Sequence, residues 1–130
     1  MRSGRLIAKR LKEARLRAGL SQKELGIRAG LDPDTASPRM NSYEKERYMP
    51  SPDTVESIGK VLGISEAYFY ARDDGLAELI LLYGTLTPAV REKLITIGRQ
   101  YGRVKTTKNP IRLSSNKNVH KKISTPSRNR

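Results

Sequence analysis

Residues 21–50 read SQKELGIRAGLDPDTASPRMNSYEKERYMP, and this stretch decides the fold. Its pattern predicts a short helix, a glycine turn and a second short helix. Ser21 suits the position before the first helix, because its hydroxyl can accept an orphan amide proton of the first turn. Leu25 is the apolar anchor of that helix, and Gly30 can adopt the left-handed conformation that ends it.

The second helix of this stretch has two possible starts. Asp32 could cap a helix that begins at the next residue, or Ser37 could cap one that begins at Pro38, since proline is favoured in a first helical turn. We favour Ser37, because the earlier start would place Pro38 inside the helix at a cost of roughly 3 kcal/mol. Met40 and Tyr43 then lie three residues apart and face the core together. The remaining faces present polar side chains, namely Arg39, Asn41, Ser42 and Lys45.

Several residues of this stretch recur at the spacing of a known family: Ser21, Gln22, Leu25, Gly30, Leu31, Tyr43, Glu44 and Pro50. The segment VESIGKVLGISEAYFY at residues 55–70 continues the same pattern. Together they resemble the Cro/cI-type helix-turn-helix, also called the XRE or lambda-repressor-like family. The resemblance covers about residues 4–72 and implies a five-helix DNA-binding domain.

Three departures from the family pattern are visible. Gly26 stands where the family usually has alanine, which keeps a close helix crossing but costs roughly 1 kcal/mol of helix propensity. The turn between the two helices is several residues longer than the common form. Glu46 replaces the usual glycine after Tyr43-Glu44, so we expect the second helix to end in a different cap.

The polar faces of the second helix predict contacts with DNA. A major groove admits one α-helix, and side chains with paired donors and acceptors distinguish bases there. We therefore predict base contacts from three residues, Arg39, Asn41 and Ser42. The resemblance implies the same face and places Gln22 at the DNA backbone near the groove edge. Further backbone contacts, which position a protein without carrying sequence information, are predicted for Lys23, Ser37, Lys45 and Arg47. Glu44 is predicted to be a structural acceptor for a neighbouring arginine.

The composition favours a polyanion as partner and argues against catalysis. The net charge is +13, and residues 102–130 supply nine basic residues and no acidic one. A strongly basic chain suits DNA or RNA. The chain has no cysteine and one histidine, His120, which lies in the basic segment. We therefore expect neither enzymatic activity nor a metal or other cofactor.

The rest of the chain predicts further helices. One carries an apolar stripe over residues 3–18, another follows the Ser51 cap, and a short one holds Tyr68 and Phe69 as core residues. Residues 73–101 predict two apolar helices joined by a short turn, a helical hairpin. The hairpin could complete the core of the monomer, but its apolar surface is wider than one face requires, so we favour a homodimer contact. The composition from residue 102 onward predicts a disordered basic tail.

We therefore predict an all-α protein: a lambda-repressor-like domain at 1–72, a dimerisation hairpin at 73–101 and a tail at 102–130. The predicted function is a sequence-specific, DNA-binding transcriptional regulator, a repressor that acts as a homodimer on double-stranded DNA. Two alternatives stay open: an antitoxin whose hairpin or tail binds a toxin, and an RNA-associated basic protein. With no apolar run long enough to span a bilayer, we expect no membrane contact and a cytoplasmic, nucleoid-associated location.

Overall fold

The computed structural model describes residues 2–103, and this part of the chain is helical without any strand. The predicted tail thus lies outside the described residues, except for Gly102 and Arg103. Seven helices follow one another: α1 Ser3–Arg17, α2 Gln22–Arg28, α3 Ala36–Glu44, α4 Pro52–Leu62, α5 Ala67–Tyr70, α6 Asp74–Thr85 and α7 Pro88–Tyr101.

The starts of α2 and α4 follow the predicted capping chemistry. Ser21 accepts the amide of Glu24 at 3.1 Å, and the Glu24 carboxylate accepts the Ser21 amide at 2.8 Å, so the two residues form a capping box. The hydrogen bond from the Ser21 amide to the carboxylate, followed by one from the Ser21 hydroxyl, holds the pKa of Glu24 below its ordinary value. Ser51 caps α4 by accepting the Thr54 amide and Thr87 caps α7 by accepting the Val90 amide, and each is followed by a proline.

Helices α1 to α5 enclose one apolar core. The helix-turn-helix contributes three fully buried side chains, those of Leu25, Ala36 and Met40, together with the nearly buried Tyr43. The other members come from α1, α4 and α5, and they include Ile7, Leu11, Val55, Ile58, Tyr68 and Phe69. The predictions that Met40, Tyr43, Tyr68 and Phe69 are core residues are confirmed.

Helices α2 and α3 approach each other closely at Gly26. A Cβ atom at this position would lie 3.0 Å from the Ala36 Cβ and 3.0 Å from the Met40 Cγ, closer than ordinary packing allows. Glycine therefore sets the crossing of the two helices. Alanine at this position would require Ala36 and Met40 to move by a few tenths of an ångström.

The start of α3 differs from the prediction. The helix begins at Ala36, so Ser37 is its second residue rather than its cap, and Pro38 is its third. Proline fits there because the first four amides of a helix have no intrahelical partner, and its missing N–H removes no hydrogen bond. The alternative start beside Asp32 does not form either, since that carboxylate accepts the Asp34 amide at 2.8 Å in a turn.

The residues predicted to form the hairpin fold as helices α6 and α7, and α6 packs on the core through Ala77 and the partly buried Ile80 and Leu81. Asp73 caps α6 by accepting the Leu76 amide at 2.7 Å. The buried Arg10 of α1 donates to the Ala71 carbonyl and to the Asp74 carboxylate, each at 2.9 Å. Ala77 is the single buried residue of α6, and α7 has none. The division of the chain at residue 72 stays a prediction.

Candidate nucleic-acid interface

Helix α3 has one face in the core and the opposite face open to solvent. Met40 and Tyr43 hold it against α1 and α2, since residues three apart lie on one side of a helix. The opposite side carries polar or short side chains, and their order around the helix is Ser37, Asn41, Pro38, Ser42 and Arg39. The structure thus brings the three predicted base-contacting residues to one surface.

A hydrogen-bonded network behind this surface connects α1, α2 and α3. Arg15 donates through two guanidinium nitrogens to the Glu44 carboxylate, and both side chains are almost buried. Glu44 also accepts the Gln22 amide at 2.9 Å. The prediction that Glu44 is an acceptor for a neighbouring arginine is confirmed. The hydrogen bonds with Glu44 raise the pKa of Arg15, and burial offsets part of that rise.

Gln22 occupies the edge of the surface and connects the network to Asn41. Its amide nitrogen lies 3.4 Å from the Asn41 side-chain oxygen, a long contact for an N–H donor. The donors of Gln22 therefore point at α3 rather than away from the protein. Asn41 is half-buried, keeps its own amide N–H groups for another acceptor, and is oriented by a residue of the preceding helix.

The other predicted contact residues differ in how they are presented. Ser42 is half-buried and donates its hydroxyl proton to the Pro38 carbonyl at 2.9 Å, so only its oxygen lone pairs remain for a ligand. Ser37 is half-buried in the first turn of α3. Lys23, Arg39, Lys45 and Arg47 are exposed, and the last two follow the end of α3 directly.

Two exposed residues beside this surface were not identified from the sequence. Tyr48 and Met49 are 72% and 58% exposed. With Pro38, Arg39 and Ser42, they line a notch of about 470 Å³. The loop is tied to α3, because the Ser42 carbonyl accepts the amides of Arg47 at 2.9 Å and Tyr48 at 3.3 Å. The available sequence signal was two large side chains, Tyr48 and Met49, directly after the alternating charges of residues 44–47.

The loop turns at Glu46, in the position where the family usually has glycine. Its φ angle is 60°, and it is the one residue other than glycine with a positive φ among residues 2–103. This left-handed conformation is unfavourable for side chains with a Cβ. Its carboxylate lies 3.6 Å from the Arg5 guanidinium, and both side chains are largely exposed. The end of α3 therefore has a glutamate in the left-handed conformation that glycine favours.

Within residues 2–103, no group of three or more histidine, cysteine, aspartate or glutamate side chains is arranged to bind a metal ion. None of the seven helices is long and apolar enough to cross a membrane.

Comparison with known proteins identifies the class to which this surface belongs. A family model described as "Helix-turn-helix" matches residues 11–69. A crystal structure of transcriptional regulator BswR is similar with a TM-score of 0.67 and 47% sequence identity, over 72% of this chain and 92% of that one. The chain belongs to the helix-turn-helix family of DNA-binding transcriptional regulators. The predicted family and all-helical fold are thereby confirmed.

A curated relative gives the same result at lower identity. The chain is 30% identical over 88 residues to the HTH-type transcriptional regulator ImmR of Bacillus subtilis (strain 168). The match covers 66% of this chain and 66% of that regulator, so it spans just under two thirds of the relative's length.

Proposed function

We propose that the protein is a sequence-specific transcriptional repressor that binds double-stranded DNA as a homodimer, with α3 in the major groove. The observation that carries the proposal is the polar face of α3, which is held rigidly from behind by Met40, Tyr43 and the Glu44 network. A fixed helix suits base recognition, because a displaced side chain loses the paired hydrogen bonds that distinguish one base pair from another.

The side chains of this surface are assigned separate roles. Arg39 and Asn41 contact base edges, as guanidinium and amide groups can bond bidentately to guanine and adenine. Ser42 supplies an acceptor. Gln22 positions Asn41 at the groove edge beside the DNA backbone. The remaining residues at the rim contact phosphates and orient the protein on the duplex: Lys23, Ser37, Lys45 and Arg47.

The homodimer is supported by the hairpin, whose apolar residues are left exposed in a single chain. Two copies would place two α3 helices in successive major grooves, about 34 Å apart, so we expect a palindromic site. Repression follows if that site overlaps a promoter, and the protein would act at the nucleoid. A toxin that bound the hairpin would compete with the second copy and would define the antitoxin alternative.

The first test is selection of bound duplexes from a random pool at near-physiological salt with the full chain. We expect one palindromic motif to be enriched. Binding of the enriched site by Arg39→Ala should then be weaker by about 1–3 kcal/mol, with relaxed preference at one base pair per half-site.

Lys60→Ala is the matched control, because it also removes one exposed positive charge but lies on α4. It should leave the preferred sequence unchanged. If Arg39→Ala weakened binding to every sequence equally, the base contact would be wrong. If the pool gave no motif, sequence-specific repression itself would be wrong.

A further inference from the structure

Pro38 lies in the middle of the face of α3 that points away from the core. It is the third residue of the helix and is exposed. At about 100° per residue, Ser37 and Asn41 lie on one side of it, and Ser42 and Arg39 lie on the other. The core residues of α3 lie on the opposite side of the helix, namely Ala36, Met40 and Tyr43. With α3 in a major groove, Pro38 is therefore the residue that points most directly at the base pairs.

The middle of this face has no hydrogen-bond donor. The proline ring carries neither a side-chain donor nor an N–H group. Ser42 donates its hydroxyl proton to the Pro38 carbonyl at 2.9 Å, so that donor is already used. The nearest side-chain donors on this face are the Asn41 amide on one side and the Arg39 guanidinium on the other. Between them lie an apolar ring and one hydroxyl oxygen that can accept.

The major-groove edges of the four bases differ in how well they suit such a ring. Guanine presents two acceptors, and an acceptor covered by the ring would lose its water without gaining a donor. Adenine and cytosine present amino groups, which need an acceptor that the ring does not supply. The 5-methyl group of thymine is the one apolar group on these edges. Thymine is therefore the base that the ring suits.

The ring is not an isolated apolar position. Pro38 lines the notch of about 470 Å³ beside α3 together with Tyr48 and Met49, whose side chains are largely exposed. Burying a proline side chain costs almost no rotamer entropy. A methyl group packed on the ring would thus leave water without the ordering cost that a long side chain would add.

We propose that Pro38 determines specificity by packing its ring against the 5-methyl group of a thymine in each half-site. Arg39 and Asn41 then hydrogen-bond with neighbouring bases on either side. This inference rests on the proposed function, because it requires α3 to lie in the major groove. It adds a base contact that involves no hydrogen bond.

Removal of the methyl group from the DNA tests the contact. In the duplex enriched from the random pool, each thymine is replaced in turn by deoxyuridine, which pairs in the same way but lacks the 5-methyl group. The full chain and its full-length Pro38→Ala variant are titrated with each duplex. At one thymine per half-site, the replacement should weaken binding by the full chain about fourfold, the effect of one apolar carbon returning to water. It should leave binding by Pro38→Ala nearly unchanged, because the ring is absent.

Pro33→Ala is the matched control, because Pro33 is also an exposed proline but lies in the turn before α3. It should keep the fourfold sensitivity of the full chain. If Pro38 only stiffened the start of α3, Pro38→Ala would weaken binding to the thymine and deoxyuridine duplexes by the same factor. Equal sensitivity in the full chain and in Pro38→Ala would therefore overturn the proposal, since another residue or the shape of the DNA would then respond to the methyl group.

Two further outcomes separate this contact from the proposed function. An enriched motif in which no thymine is sensitive to loss of its methyl group would contradict the contact of Pro38 and leave sequence-specific binding intact. If the pool gave no motif, sequence-specific binding itself would be wrong, and the contact with it.

Discussion

Residues 2–72 and residues 73–101 are both helical, but the first part buries most of its apolar side chains and the second leaves most of its large ones exposed. The N-terminal part contains fourteen of the fifteen buried apolar residues of the described chain. The hairpin contains only Ala77 among them, yet it has seven of the twelve large apolar residues that are exposed. The difference shows that a segment can form helices without contributing a buried core. It also shows that the hairpin leaves apolar surface that a single chain does not bury.

The largest expected effect tests where the stability resides. Leu25→Ala removes a fully buried side chain between α2, α3 and α4, so it should lower the free energy of unfolding by about 2–5 kcal/mol in a urea titration. Leu16→Ala removes the same atoms from a side chain that is 58% exposed, and it should change the free energy of unfolding by less than about 0.5 kcal/mol. Similar losses for both would contradict the packed core.

An ion pair in each region allows a second comparison. Glu44→Gln removes the carboxylate partner of the nearly buried Arg15 and should cost roughly 2 kcal/mol of stability, below the usual cost of breaking a fully buried pair. Glu92→Gln removes the partner of Arg99 in α7, where both side chains are exposed and 3.9 Å apart, and should cost almost nothing. A cost at Glu92 equal to that at Glu44 would mean that the hairpin depends on its surface charges.

Much of the N-terminal part could be predicted from sequence because its signals are local. Ser21 and Ser51 are caps that depend on neighbouring residues, and Met40 and Tyr43 follow the helical period of α3. The predicted start of α3 was wrong because Pro38 was treated as a strong helix boundary. Proline is acceptable at any of the first few positions, and the turn at Asp32 decides which one it takes.

The candidate interface was only partly predictable, because some of its contacts join residues that no helical period relates. Helical period placed Arg39 and Asn41 on the open face of α3, but it could not show that Gln22 reaches Asn41 across the turn. Tyr48 and Met49 were missed because their importance depends on where the loop folds. The Ser42 carbonyl fixes that loop against α3 through contacts that no periodic pattern reveals.

Two exposed tyrosines separate DNA contact from association. Tyr48 is 72% exposed beside Arg39, and Tyr101 is 77% exposed at the end of α7. We expect Tyr48 to pack on the DNA backbone, so Tyr48→Ala should weaken binding by about 1 kcal/mol, and the salt dependence should stay unchanged because no charge is lost. Tyr101→Ala should leave affinity for a single half-site unchanged. Equal losses for both variants, or a flatter salt dependence for Tyr48→Ala, would contradict this assignment.

The smallest effect concerns the tight turns, all of which belong to the N-terminal part. The four positive φ angles of residues 2–103 lie at Gly19, Gly30, Glu46 and Gly63, and the hairpin has none. Glu46→Gly should relieve about 1–2 kcal/mol of left-handed strain, but it also adds about 0.4–1 kcal/mol of chain entropy to the unfolded state. The exposed pair with Arg5 contributes little. A net gain of about 0.5 kcal/mol is expected, since relief of strain exceeds the added entropy.

Thermal unfolding of Glu46→Gly and of the control Arg5→Ala measures this balance. Arg5→Ala removes the ion pair but keeps the glutamate backbone, so it should leave the stability nearly unchanged. A destabilised Glu46→Gly with an unaffected Arg5→Ala would mean that the glutamate side chain stabilises the loop through another contact. A loss of similar size in both variants would assign the stabilisation to the ion pair. In either case the strain at residue 46 would be smaller than its φ angle indicates, and the loop that carries Tyr48 would owe its position to side chains rather than to its backbone hydrogen bonds with Ser42.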